Sequence, residues 1–185
     1  MRRDAPATCD IESEAMTSSN AVWTEPIKAD DVRREAIALA TFAVTSPDLR
    51  ELTRKEVLAK YVLVLLTHGT SNGKYGTRYR SREALSVTDP TELNHEHVFP
   101  RKWLIEQMIA EPSNIEMLLT QFAIACTVTE KEHKRLALAE KANADLVGWE
   151  RYNAADIVVT DMATGEIVPQ SVGLVPDPPH KRAEF

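Results

Sequence analysis

Residues 94–101 read Asn94-His95-Glu96-His97-Val98-Phe99-Pro100-Arg101, and a second polar segment, Thr129-Glu130-Lys131-Glu132-His133-Lys134-Arg135-Leu136, follows further along the chain. The first sets a carboxylate beside an imidazole on a short apolar stretch that proline ends. The second opens a helix with a histidine in its first turn. Together they offer donors for one metal ion and one general base. A carboxylate oxygen and an imidazole nitrogen suit a divalent ion that keeps open positions for water and a phosphate oxygen. A neighbouring histidine kept off the ion is useful, because a neutral imidazole with a pKa of about 6.5 can take a proton from water near pH 7. Adjacent residues of a strand point to opposite faces, so dividing these tasks between Glu96 and His97 calls for a local bend. His95 and His97 form an H-x-H pair on one strand face, which leaves a second metal set open, both of them with His133.

The elements that must position these residues are read from periodicity. Asp30-Asp31 can cap a helix running to about Val44, with apolar residues at 32, 36, 37, 40 and 44. Thr53 is placed to cap a second helix over residues 54–66, with Glu56 completing a capping box and Leu58, Tyr61, Val62, Leu65 and Leu66 on its buried face. A turn-rich stretch from His68 to Gly76 leads into Thr77-Arg78-Tyr79-Arg80-Ser81-Arg82. A strand is expected around residues 96–99, a helix over 101–109 stopped before Pro112, a helical spacing over 114–122 and a strand over 124–128. Thr129 caps the next helix, with Glu132 as its third residue, and a short hairpin with Gly165 in the turn closes the pattern over 157–168.

The chain has 185 residues, enough for one domain that buries a core without disulfides. Cys9 and Cys126 have no metal-knuckle spacing, and Cys126 reads as a small buried hydrophobe. Residues 1–22 and 169–185 are expected to be disordered tails around one folded unit, 23–168. That unit divides into a helical and basic-loop part, 23–90, and a core, 91–145. No apolar run approaches the ~20 residues of a membrane span and no signal-peptide core is present, so a cytoplasmic protein with no membrane partner is expected. Net charge is −6, yet residues 50–82 hold eight basic residues against two acids, a local +6. Such a local field can steer a phosphate backbone because screening acts over about 8 Å. Lys74, Arg78, Arg80 and Arg82, with Arg101 and Lys102, are the candidate phosphate contacts, and Tyr75 and Tyr79 are placed to stack on bases. His68 and His180 read as incidental. Trp103, Trp149 and Tyr152 read as packing residues.

Glu96-His97-Val98-Phe99-Pro100-Arg101, followed by Cys126-Thr127-Val128-Thr129-Glu130-Lys131-Glu132-His133, resembles the HNH family of nucleases, and Gly148-Trp149-Glu150-Arg151-Tyr152 extends the likeness weakly. The resemblance implies an α+β chain in which an N-terminal helical pair is attached to a ββα-metal core. It implies a metal-dependent endonuclease acting on DNA, with His97 activating water and Glu96 and His133 holding the ion. Mg²⁺ or Mn²⁺ is the expected cofactor, with Zn²⁺ or Ni²⁺ as alternatives. Double-strand cutting calls for two active sites, so a homodimer is a further expectation, the acidic surface leaves a protein partner such as an inhibitor open, and a non-catalytic nucleic-acid-binding module is the alternative reading. The sequence departs from the family at the middle asparagine: Asn114 lies nineteen residues before His133, and Gln121 is the nearer polar alternative.

Overall fold

A computed structural model describes residues 22–169; the tails expected at 1–22 and 169–185 therefore fall almost wholly outside the described residues, as do Cys9 and His180. The first helix, α1, spans Ala29–Thr45. Asp30 and Asp31 lie inside its first turn rather than capping it, where they complement the helix dipole, and Asp30 accepts from Arg33 at 2.7 Å.

The second helix begins three residues earlier than its sequence suggests. It runs through α2 (Glu51–Glu56), a π-helical stretch (Val57–Leu63) and α3 (Val64–Gly69). Thr53 is not its cap. The guanidinium of Arg54 instead donates to the carbonyls of Ala43, Ser46 and Leu49 at 2.8, 3.0 and 3.3 Å, fastening the corner between the two helices. Wider i→i+5 turns also change the buried face. Leu58, Val62, Leu63 and Leu66 are buried, whereas Tyr61 and Leu65 are exposed.

The remaining elements are β1 (Tyr79–Ser81), α4 (Arg82–Leu85), β2 (Leu93–His97), α5 (Arg101–Ala110), α6 (Ile115–Gln121), β3 (Ala125–Thr129), α7 (Glu130–Ala142), α8 (Trp149–Ala154) and β4 (Val159–Asp161). The architecture is mixed α and β, as expected. The sheet order is β2-β3-β1-β4, with β2 antiparallel to β3, β3 parallel to β1 and β1 antiparallel to β4. The polar and aromatic run after the turn thus supplies an interior strand. β2 lies three residues before the expected strand start because Val98 and Phe99 turn inward: both are buried, and Phe99 packs edge-on against Phe122 with ring centres 4.9 Å apart. The expected hairpin forms as β4 and a single bridge, Thr160 to Ile167, with Gly165 at φ +77° in the turn.

The core joins α1 and the second helix to α5, α6 and the sheet through residues such as Ala40, Leu58, Leu104, Leu118 and Val128. Removing one such leucine side chain costs about 2–5 kcal/mol. Trp103 and Trp149 pack on this core and Tyr152 is wholly buried within it; Cys126 is buried in β3, where desolvation pushes its thiol pKa up. No helix of the described residues is long and apolar enough to cross a membrane.

Candidate functional site

Glu96 and His97 are the last two residues of β2, paired in register with Cys126 and Ala125 of β3. Alternation sends their side chains to opposite faces of the sheet. No sharp bend is needed to bring them to one place, because β2 is the edge strand and a cavity of about 790 Å³ wraps around its end. That cavity is lined by Glu96 and His97 together with His95, His133, Arg101 and Lys102.

His133 arrives through the start of α7. Thr129 accepts from the Glu132 amide at 3.2 Å, and the Glu132 carboxylate accepts from the Thr129 amide at 2.8 Å, the capping box read from the sequence. Ser81 of β1 donates to the same carboxylate at 2.6 Å, so the helix start is tied to the interior of the sheet. His133 then sits one residue beyond a buried anchor, and its Nδ1 meets Glu96 Oε2 at 2.7 Å. A carboxylate only accepts, so Nδ1 carries the proton in this pair. Replacing that proton by a divalent ion would use the same two atoms. Ligands held side by side on a small divalent ion stand about 3 Å apart, close to the spacing seen here. The donor set therefore fits an ion with two protein ligands and open positions. Among the described residues no third histidine, cysteine, aspartate or glutamate completes a three-ligand cluster, so the His95, His97 and His133 set is not assembled.

His97 is held differently. Burial, followed by the neighbouring His95 and Arg101, pushes its pKa down to about 3, so the ring is neutral over the physiological range. Its Nδ1 is buried without a partner, and the residue lines the cavity. His95 Nδ1 donates to the Lys74 carbonyl at 2.7 Å, its Nε2 is buried unpaired, and burial lowers its pKa. The ring of His68, incidental in the sequence, lies edge-on to His95 at 4.4 Å, and His95 lies 5.9 Å from His97.

The six candidate phosphate contacts separate. Arg101 and Lys102 line the cavity, and Arg101 has no acidic partner among the described residues. Arg78 is engaged in a two-pronged pair with Asp161 at 2.7–3.1 Å. Arg80 is half-buried beside Tyr75 and Trp23, Arg82 is exposed at the start of α4, and Lys74 lies over the Tyr75 ring at 4.9 Å. Tyr79 packs edge-on against Trp149 at 5.1 Å. Asn114 is exposed at the entry to α6, and Gln121 is exposed at its end beside a separate hollow with Trp23 and Arg33; neither lines the cavity.

The charged cavity residues Lys55, Glu56, Lys60, Glu106, Glu140 and Arg151 are not among the site residues read from the sequence. Lys55 and Lys60 belong to the second helix, and their place in the cavity depends on how that helix packs against α1 and α5. Glu140 had a signal, since it follows His133 by two helical turns on the same face of α7. Arg151 lay inside the segment that resembles the family, but a buried arginine reaching back to β2 has no local signature. No family model, curated protein or solved structure matches the chain.

Proposed function

We propose that this protein is a metal-dependent endonuclease of HNH type that hydrolyses phosphodiester bonds in DNA. The observation that carries the reading is the meeting of Glu96 and His133 at 2.7 Å in the cavity that the neutral His97 also lines. Glu96 Oε2 and His133 Nδ1 are the atoms to hold a divalent ion, Mg²⁺ or Mn²⁺ first. Once bound, such an ion supplies Lewis acidity at the scissile phosphate. His97 accepts the proton of the attacking water as the new P–O bond forms and the P–O bond to the leaving oxygen breaks, and the departing oxygen takes a proton from solvent. A base with a pKa near 3 is weak on its own. A phosphate entering beside the ring raises that pKa, because negative charge favours the imidazolium. Arg101 and Lys102, with Lys55 and Lys60, line the same cavity and suit backbone phosphates, the two lysines of the second helix after leaving Glu51 and Glu56.

Supercoiled plasmid incubated with the full chain and Mg²⁺, Mn²⁺, Ni²⁺ or Zn²⁺ tests the reading. Nicked or linear product that vanishes with EDTA is the expected outcome. A second reading, a nucleic-acid-binding module without catalysis, is favoured by the absence of a third ligand beside Glu96 and His133 among the described residues. Salt-dependent DNA binding with no cleavage under any of the four ions supports that alternative.

A further inference from the structure

We infer that Arg151 is the positioning residue of this site, a guanidinium brace that holds the Glu96 carboxylate toward His133 and fixes the end of β2 from which His97 projects. The inference rests on the nuclease reading for its catalytic meaning, though the brace itself is a matter of geometry. Arg151 comes from α8 and is only 3% exposed. One terminal nitrogen, Nη1, donates to the carbonyls of His97 and Val98 at 3.0 and 3.1 Å. The other, Nη2, donates to Glu96 Oε1 at 3.4 Å and Glu140 Oε2 at 3.2 Å.

Both oxygens of Glu96 are therefore held, Oε1 by Arg151 and Oε2 by His133. A carboxylate anchored in this way presents one oxygen to an incoming ion without having to lose side-chain freedom at that moment. The two carbonyls are the ones where the chain leaves the sheet, since His97 makes the last strand pair and the Val98 amide still donates to the Ile124 carbonyl at 2.9 Å. Gripping them fixes the direction of the His97 side chain relative to Glu96. Lysine keeps the charge but presents three donors from a single nitrogen, so it cannot span two carbonyls and two carboxylates lying in different directions.

Arg151→Lys separates the brace from simple charge. Titrating the full-length variant with Mn²⁺ is expected to show affinity roughly ten- to a hundredfold weaker than wild type, the range seen when residues that orient metal ligands are removed. Plasmid cleavage should lose kcat with KM for DNA little changed. Amide exchange should quicken in the peptide covering residues 95–99 and not throughout the core. Unaltered Mn²⁺ affinity and exchange in a folded variant overturn the inference. A readout on the wild-type chain does not depend on the variant folding: arginine side-chain NMR should show the Arg151 guanidinium rotating slowly, with separate Nη signals. Free rotation overturns the brace whatever the chain does to DNA. Slow rotation in a wild type that binds no divalent ion leaves the brace standing and overturns the nuclease reading instead.

Discussion

Gly148→Ala should be among the most damaging single-methyl additions in this chain, and its two causes can be measured apart. Gly148 precedes α8 with φ +60° and ψ −141°, a backbone region that is essentially closed to residues with a side chain. Holding alanine there costs about 1–3 kcal/mol. A Cβ built on Gly148 would also stand 2.7 and 2.8 Å from Cζ and Cε1 of Phe99, inside van der Waals contact. Overpacking of that kind adds about 1–3 kcal/mol, because the Phe99 ring is already confined by Phe122 and Trp103. The sum, about 2–6 kcal/mol, is a large share of the 5–15 kcal/mol that typically stabilises a domain. Urea unfolding of wild type, Gly148→Ala, Phe99→Leu and the double variant gives the cycle. The double variant should be less destabilised than the two single changes added together, since leucine vacates the space the new methyl needs. A Gly148→Ala chain within about 0.5 kcal/mol of wild type refutes the backbone argument. Strict additivity in the cycle refutes the steric one. Because Arg151 lies in the first turn after Gly148, the same variant should loosen its contact with Glu96.

Three further outcomes follow from particular contacts. Arg78 holds the Asp161 carboxyl below its usual range, so the stability this pair gives is fully present above the ordinary aspartate pKa of about 3.9 and is lost as pH falls through the lower folded value. Acid unfolding curves of Asp161→Asn should lack that part of the pH dependence; curves parallel to wild type contradict it. Thr129→Ala removes the cap of α7 and should cost about 0.5–2 kcal/mol in chemical denaturation while displacing His133. Arg101→Ala, if Arg101 neutralises one phosphate, should reduce the slope of log binding constant against log salt by about 0.9, measured by fluorescence anisotropy on duplex DNA.

Local signals were the legible ones. The capping box at Thr129 and Glu132, the helical spacing of 115, 118, 119 and 122 and the proline before α5 each rest on interactions within a few residues, and each element appears within a residue or two of its expected place. Long-range competition is what sequence hid. Thr53 looked like a cap until Arg54 tied the corner at Ala43 and Ser46 and let the helix start earlier. Arg78 looked like a free cation, but its partner Asp161 is distant in sequence and adjacent only because β1 and β4 pair. Glu96 and His133 were legible as a pair, whereas the edge position of β2, which lets both of its faces open into one cavity, depends on a strand order that no local pattern encodes. Arg151 belongs to the same class, as a buried cation whose four acceptors come from β2, the residue just after it and α7.

His97 as the group that activates water, and Glu96 and His133 as the holders of the ion, are tested together by one set of variants. Initial rates of plasmid nicking in Mg²⁺ or Mn²⁺ would be measured for wild type, His97→Ala and His133→Ala, with Asn114→Ala, exposed and away from the cavity, alongside them. His97→Ala is expected to lose about 10²–10⁴-fold in rate, as removal of a general base should. His133→Ala should need far more metal to act at all, and Asn114→Ala should cut like wild type. Cleavage that survives both histidine substitutions would contradict the account.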